Sequence, residues 1–317
     1  MTTTAESSKS LLLDPGFMAR LDQLDIVSRK VLAGKLKGER RSKRRGQSVE
    51  FADYRNYVAG DDFRHLDWNL YGRLDRLFLK LYEEERELPV RIFLDASESM
   101  SFGEPRKFDF ARQIAAAIGY VALCGFDRVS VIPFPDLPAN GTHPEPEARN
   151  AELAARGALR AVRGRKSALQ FFRNLGAVTA RDAANLNESL RRGALEARQA
   201  GAAIVLSDFL DPAGYEAGLT ALVGRGFQVH AVQILAPDEL APATFGDLRL
   251  VDSETGGMQE VTFGKYRLKQ YQQTVQNFVQ RLREFCTGRG INFFNAGSAT
   301  DLEDLLLKQL RAAEVWG

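Results

Sequence analysis

The fold is decided by the stretch PVRIFLDASESMS, residues 89–101. It opens with an apolar run, residues 90–94, of the length and composition typical of a strand buried on both faces. It ends in Asp95-x-Ser97-x-Ser99, so one carboxylate and two hydroxyls follow at the carboxyl end of that strand. Because open α/β sheets bind their ligands at this edge, the stretch predicts both a central strand and a candidate site.

The side chains of this loop predict a metal site. Mg²⁺ prefers hard oxygen ligands, keeps several of its waters and needs few protein groups, and Mn²⁺ shares the preference for oxygen. A second apolar strand, residues 202–206, is followed by Asp208, which we expect at the same edge of the sheet. The structural alternative is an Asx or Ser/Thr turn that caps the next helix, because such turns use the same residue types.

From residue 89 onwards, apolar runs alternate with helical periodicities, which predicts a doubly wound, Rossmann-like α/β domain over residues 89–317. The predicted strands span residues 90–94, 129–134, 202–206, 227–235 and 291–295. The predicted helices span residues 107–124, 151–162, 166–177, 186–200, 213–225, 265–288 and 301–313. Residues 246–263 predict a hairpin that turns at Gly256-Gly257.

Residues 1–88 are predicted to form an N-terminal extension, rich in extended structure, that packs on the main domain. Residues 17–32 have the spacing of an apolar helix face, and residues 77–82 have the composition of a strand. Between them lies a basic segment, residues 35–45, with seven Lys and Arg. Phosphate contact with nucleic acid or an anionic surface is one interpretation, but no aromatics are interleaved to stack bases. A solvated loop is therefore favoured, and nucleic-acid binding is not.

An aromatic and acidic segment, residues 46–68, leaves open the alternative that the protein is an enzyme. A Mg²⁺-dependent hydrolase or nuclease would need its carboxylates to share a two-metal centre. The segment supplies no nucleophile and no evident pocket, so the favoured interpretation is a turn at residues 60–62 with Trp68 in a core. The sequence thus predicts a protein that is not an enzyme. The carboxylates of the alternative are Asp61, Asp62, Asp67 and Asp95.

Composition excludes several other classes. The three histidines are scattered without zinc-ligand spacing, and there is no phosphate loop, dinucleotide fingerprint or nucleophile elbow. The two cysteines lie in apolar helical settings, which indicates a reducing compartment. No apolar run approaches the length of a membrane span, and the first ten residues are polar. A cytoplasmic location is therefore expected.

Taken together, these stretches resemble the bacterial von Willebrand factor A-like proteins that are linked to MoxR-type AAA+ ATPases, a family long labelled a domain of unknown function. The likeness covers most of the chain. The residues that carry it are Glu50, Phe51, Arg55, Tyr57, Gly60, Asp61, Asp62, Arg64, Asp67 and Trp68, followed by Asp95-x-Ser97-x-Ser99-Met100, Ser207-Asp208-Phe209 and Leu250-Val251-Asp252-x-Glu254-Thr255-Gly256.

The resemblance implies a von Willebrand A-type domain with a metal-ion-dependent adhesion site. In such a site an Asp-x-Ser-x-Ser loop, a threonine on a second loop and an aspartate on a third surround one Mg²⁺ or Mn²⁺. A carboxylate from a partner protein completes the coordination. Asp95, Ser97 and Ser99 match the first loop and Asp208 matches the third. The implied partners are a MoxR-type AAA+ ATPase and a client protein that offers an acidic residue.

The second loop departs from the family pattern. The matching place is Ala184-Asn185-Leu186-Asn187, with alanine where the threonine is expected. The side-chain oxygen of Asn185 or Asn187, or a water, is the available substitute. The missing threonine predicts weakened metal binding, and a decayed site that is retained for its fold stays an alternative.

Overall fold

A computed structural model describes residues 13–14, 16–21, 49–58, 63, 66–84, 88–135, 157–181, 185–242, 246–251 and 257–306. The chain divides into two compact units. The larger unit comprises residues 1–36 and 88–317, and the smaller comprises residues 37–87. The N-terminal extension predicted from the sequence therefore contributes residues to both units.

The strands, in chain order, are β1 (Val49–Asn56), β2 (Phe78–Glu84), β3 (Pro89–Asp95), β4 (Arg128–Phe134), β5 (Leu159–Arg163), β6 (Ala202–Ser207), β7 (Gln228–Leu235), β8 (Gly246–Val251), β9 (Met258–Phe263) and β10 (Asn292–Gly297). The helices are α1 (Trp68–Leu74), α2 (Lys107–Cys124), α3 (Ala168–Ala177), α4 (Leu186–Glu196), α5 (Glu216–Gly224), α6 (Pro237–Leu240), α7 (Lys265–Thr287) and α8 (Leu302–Asp304).

The smaller unit contains an antiparallel pair, β1 with β2, and the short helix α1. Asp67 begins this helix by accepting hydrogen bonds from the backbone N–H groups of Asn69 and Leu70. The prediction that Trp68 lies in a core is wrong, because its side chain is 62% exposed at the first position of the helix. The turn predicted at residues 60–62 lies outside the described residues.

The larger unit is built on a six-stranded sheet with the order β10-β7-β6-β3-β4-β5. All neighbouring pairs are parallel except β4 with β5. Side chains of β3 alternate between two cores: Ile92 and Leu94 pack with α2 and α3, whereas Phe93 packs with α4, α5 and α7. Helices thus cover both faces of the sheet, and the predicted doubly wound, Rossmann-like architecture is confirmed at this level.

Helix α2 is the most deeply buried helix among the described residues, and it follows the Asp-x-Ser-x-Ser loop after a short 3₁₀ turn, Glu98–Ser101, and residues 102–106. Gly119 in its middle lets the ring of Phe171 on α3 approach closely, since a Cβ at this glycine would lie 2.1 Å from the ring. Residues 16–21 are also helical, and Phe17 and Leu21 join the same core. Most of the helix predicted over residues 17–32 lies outside the described residues.

One predicted element is of the wrong type. Residues 151–162 were expected to be helical because alanine, leucine and arginine are good helix formers. Instead, Leu159–Arg163 is an edge strand that pairs antiparallel with β4. Gly157 precedes it with φ of +84°, a conformation that interrupts a helix. Strand pairing therefore overrides the local propensity, and residues 151–156 lie outside the described part of the chain.

The hairpin predicted over residues 246–263 is confirmed as β8 paired antiparallel with β9. The long helix α7 follows it and ends one residue before the predicted boundary. Of the helix predicted over residues 301–313, the structure describes α8 and the two residues after it. None of the described helices has the length and apolar character that a membrane crossing requires.

Candidate metal site

The candidate site lies at the carboxyl ends of β3 and β6, which are neighbours in the sheet. β6 is entirely buried and β3 is mostly buried, as their largely apolar sequences predict, and Arg91 is the half-buried charged residue within the β3 run. Asp95 is the last residue of β3, and Asp208 directly follows β6. The parallel arrangement therefore brings together the two carboxylates that the sequence assigned to one site.

Asp95 is buried and bonded to three hydrogen-bond donors. Its Oδ1 accepts from the backbone N–H of Ser97 at 3.0 Å and from the Ser97 hydroxyl at 2.7 Å. Its Oδ2 accepts from the Ser207 hydroxyl at 2.5 Å. All three donors are uncharged, so they orient the carboxylate without neutralising it.

The two serines of the first loop share a hydrogen bond, with their Oγ atoms 3.0 Å apart. Because Ser97 gives its proton to Asp95, the proton of this second bond comes from Ser99. A hydroxyl oxygen has two lone pairs, so both oxygens keep acceptor capacity. Ser97 is fully buried and Ser99 is half-buried, which places the accessible side of the cluster at Ser99.

The electrostatics of the cluster favour a cation. Burial and, secondly, the nearby charge of Asp208 raise the pKa of Asp95 from 3.8 to about 7, against the opposing effect of the hydrogen bonds from Ser207 and Ser97. A buried carboxylate with a raised pKa is one whose negative charge lacks compensation. A positive ion beside Asp95 would supply that compensation.

The third loop has a strained but well-supported conformation. Phe209 has φ of 61°, which is uncommon for a residue with a bulky side chain. Its N–H donates to the Ser207 hydroxyl at 2.9 Å, and its buried ring packs edge-on against Tyr215. The loop thereby turns sharply after β6, and the backbone N–H of Leu210 donates to Oδ1 of Asp208 at 3.0 Å.

Two charged residues of the site were missed by the sequence analysis. The ammonium group of Lys107, at the first position of α2, lies 2.6 Å from Oδ2 of Asp208 and 2.7 Å from Oε1 of Glu239. Burial lowers the pKa of Lys107, but the two carboxylates outweigh it and the net shift is upward. No local pattern marks this triad, because 101 and 132 residues separate Lys107 from its two partners.

The second loop does not offer a free amide at the predicted positions. The Oδ1 of Asn185 accepts from the Ser189 hydroxyl at 2.5 Å. Asn187 donates to the carbonyls of Ala213 and Gly214, and its Oδ1 accepts from the N–H of Gly218. The Asn187 side chain therefore joins α4 to the turn before α5. Asn185 has acceptor capacity left only on an oxygen that is already bonded.

The residues present nevertheless fit Mg²⁺ at the first and third loops. They supply hydroxyl and carboxylate oxygens, the ligand type that Mg²⁺ prefers, and an uncompensated buried charge at Asp95. Among the described residues, no group of three or more His, Cys, Asp or Glu side chains is placed to hold a metal. The candidate set that the sequence offers, serine hydroxyls beside two carboxylates, stays a prediction.

The features behind the two alternative functions fall largely outside the described residues. Asp61, Asp62 and the basic segment 35–45 are not among them. Asp67 is described, and its carboxylate accepts from two backbone N–H groups of α1 and from the Tyr54 hydroxyl at 3.0 Å. These bonds give Asp67 a structural role in the smaller unit.

The fold and the candidate site define the class of the protein: a Rossmann-like α/β protein with a carboxylate and hydroxyl cluster at the carboxyl edge of its sheet. The family model described as "Protein of unknown function DUF58" matches residues 53–278. The chain belongs to this family. The expected membership of a family without known function is thereby confirmed.

Curated relatives support the same membership. An uncharacterized protein of Mycobacterium bovis is 30% identical over 250 residues, which are 78% of this chain and 74% of the relative. An uncharacterized protein of Mycobacterium tuberculosis matches with the same identity and the same coverage. The names of these relatives state no activity.

Two solved structures are also similar. The conserved hypothetical protein BatB from Bacteroides thetaiotaomicron is 14% identical, with 71% of this chain and 98% of that chain covered and a TM-score of 0.40. An aerotolerance-related membrane protein from Bacteroides fragilis is 16% identical, with the same coverage and the same TM-score. At these values the two likenesses carry no argument about function.

Proposed function

We propose that this protein is a non-enzymatic interaction module of the von Willebrand A type that captures a partner protein through Mg²⁺ at a metal-ion-dependent adhesion site. The observation that carries the proposal is the environment of Asp95, a buried carboxylate that is oriented by the Ser97 and Ser207 hydroxyls and whose bonding partners in the described part of the chain are uncharged. Ser97 and Ser99 would bind the ion directly, and Asp95 and Asp208 would act mostly through its waters. Mg²⁺ would offer a coordination position to the carboxylate oxygen of an acidic side chain of the partner.

The surface beside the site supports binding to a protein. Phe102, three residues after Ser99, is 50% exposed, and Leu210, two residues after Asp208, is 48% exposed. The backbone of each is tied to the site, since the N–H of Phe102 donates to the Ser99 carbonyl and that of Leu210 to Asp208. These two side chains provide apolar surface beside the polar cluster, on which a bound protein could pack.

The resemblance described above further suggests that the module works with a MoxR-type AAA+ ATPase, which supplies the work, while the module binds a client with an acidic residue. The experiment is a binding measurement between the immobilised chain and a purified MoxR-type ATPase of the same organism, with Mg²⁺ present. Because the ATPase itself requires Mg²⁺, removal of the ion is not an adequate control. The comparison is between wild type, Asp95→Ala and the exposed Asp238→Ala.

We expect wild type and Asp238→Ala to bind the ATPase with equal affinity. Asp95→Ala should bind it at least tenfold more weakly. Equal binding by all three proteins would show that the site does not take part in this partnership. Circular dichroism of each variant checks that the fold is retained.

A further inference from the structure

We infer that Lys107 is a positioning residue whose ammonium group offsets part of the negative charge of the candidate site. As a result, the site binds a divalent ion in preference to a trivalent one. The inference rests on the proposed function. Lys107 is 1% exposed, and its ammonium group bridges Asp208 and Glu239 at 2.6 and 2.7 Å. A buried ammonium in this position is a fixed positive charge next to the predicted ligands.

The charges of the cluster explain the choice of ion. Three carboxylates meet here, since Asp208 interacts electrostatically with Asp95 on one side and shares Lys107 with Glu239 on the other. When all are ionised, three carboxylates and one ammonium leave a formal charge of −2. A divalent ion neutralises this charge, and a trivalent ion leaves a buried excess.

Lys107 also determines how Asp208 can act. Its ammonium occupies Oδ2 of Asp208, and the N–H of Leu210 occupies Oδ1. These two donors fix the orientation of the Asp208 carboxylate, while each of its oxygens keeps one acceptor position towards an ion or an ion-bound water.

The position of the Lys107 ammonium group is also fixed by Glu239. Glu239 fixes it with Oε1 and uses Oε2 to accept from the backbone N–H of Ala236 at 2.7 Å. Ala236 in turn lies close beneath the turn that follows the first loop, because a Cβ at Gly103 would lie 2.5 Å from the Ala236 Cβ. The position of the charge is therefore set by the loops after β3, β6 and β7 together.

The test compares two ions of similar radius and different charge, Ca²⁺ and La³⁺, by titration calorimetry on the full chain. For Lys107→Met we expect the ratio of La³⁺ to Ca²⁺ affinity to rise by on the order of tenfold, because the site then carries one more negative charge at short range. Lys166→Met, which removes an exposed lysine elsewhere on the same unit, should leave the ratio unchanged.

A second variant, which changes the charge of the site in the opposite direction, keeps the test informative if Lys107→Met does not fold. Glu239→Gln removes one negative charge and should lower the same ratio by a similar factor. An unchanged ratio in both folded variants, with ion binding retained, would overturn the inference and leave the proposed function standing. If the wild type binds neither these ions nor Mg²⁺, the proposed function itself fails, and the inference fails with it.

Discussion

The ammonium group of Lys107 lies 2.6 Å from Oδ2 of Asp208, although 101 residues of sequence separate the two. The contact joins the first turn of α2 to the loop that follows β6. Asp95, in contrast, accepts hydrogen bonds only from uncharged groups among its described partners. Lys107 therefore neutralises the charge of Asp208, whereas the charge of Asp95 is neutralised by a bound ion or by protonation.

The first prediction concerns pH in the absence of divalent ions. The pKa of Asp95 is raised to about 7 in the folded protein, so the folded state holds a proton that the unfolded chain releases near pH 3.8. The free energy of unfolding should therefore fall as the pH rises between these two values, by up to about 1.4 kcal/mol per pH unit from this group. Asp95→Asn, which cannot ionise, should not show this part of the fall.

The measurement is urea unfolding in a chelating buffer at pH 5, 6, 7 and 8 for wild type and Asp95→Asn. The free energy of unfolding of Asp95→Asn, relative to that of the wild type, should increase as the pH rises. Curves that stay parallel from pH 5 to pH 8 would show that Asp95 is not the uncompensated group.

The second prediction concerns stability at the buried triad. Lys107→Met leaves the carboxylates of Asp208 and Glu239 without their shared cation, and breaking a buried ion pair in this way costs about 3–5 kcal/mol. Urea unfolding at neutral pH should show this loss. Lys166→Met on the exposed turn before α3 should change the stability by less than about 0.5 kcal/mol. A loss below about 1 kcal/mol in Lys107→Met would contradict the assignment of a tightly bonded triad.

The third prediction tests the packing that supports α2. In Gly119→Ala the new methyl group would lie 2.1 Å from the ring of Phe171, which is fully buried, so the ring or the helix must shift. Overpacking of this kind costs about 1–3 kcal/mol. Gly176→Ala on α3 is the matched control, because no atom lies within 4 Å of its added Cβ. Thermal unfolding should show a lowered midpoint for Gly119→Ala and an unchanged or slightly raised one for Gly176→Ala. Equal midpoints would contradict the close approach of the two helices.

Much of the fold follows from short-range patterns. The largely apolar run at residues 90–94 predicted a strand covered on both faces, and helices do cover it on both faces. The carboxyl-edge rule likewise predicted that Asp95 and Asp208 would lie near each other, because it depends only on strand direction. Residues whose partners are set by neighbouring strands were therefore accessible from the sequence.

The wrong or missing predictions depend on tertiary context, and two of the three depend on long-range pairing. Leu159–Arg163 has helical propensity, but it forms a strand because it pairs antiparallel with the edge of β4. Trp68 looks like a core residue by its apolar ring, but it begins a short helix whose residues are not buried. Lys107 looks like an ordinary helix start, and its role appears only when Asp208 and Glu239 are brought to it by folding.

Binding of Mg²⁺ at the end of β3 is tested by titration calorimetry with Mg²⁺ on wild type, Asp95→Ala and the control Asp238→Ala. We expect saturable binding of one ion per chain in wild type and in Asp238→Ala, and loss of that binding in Asp95→Ala. If Asp95→Ala binds Mg²⁺ with the affinity and stoichiometry of the wild type, the carboxylate and hydroxyl cluster at the end of β3 is not a metal site.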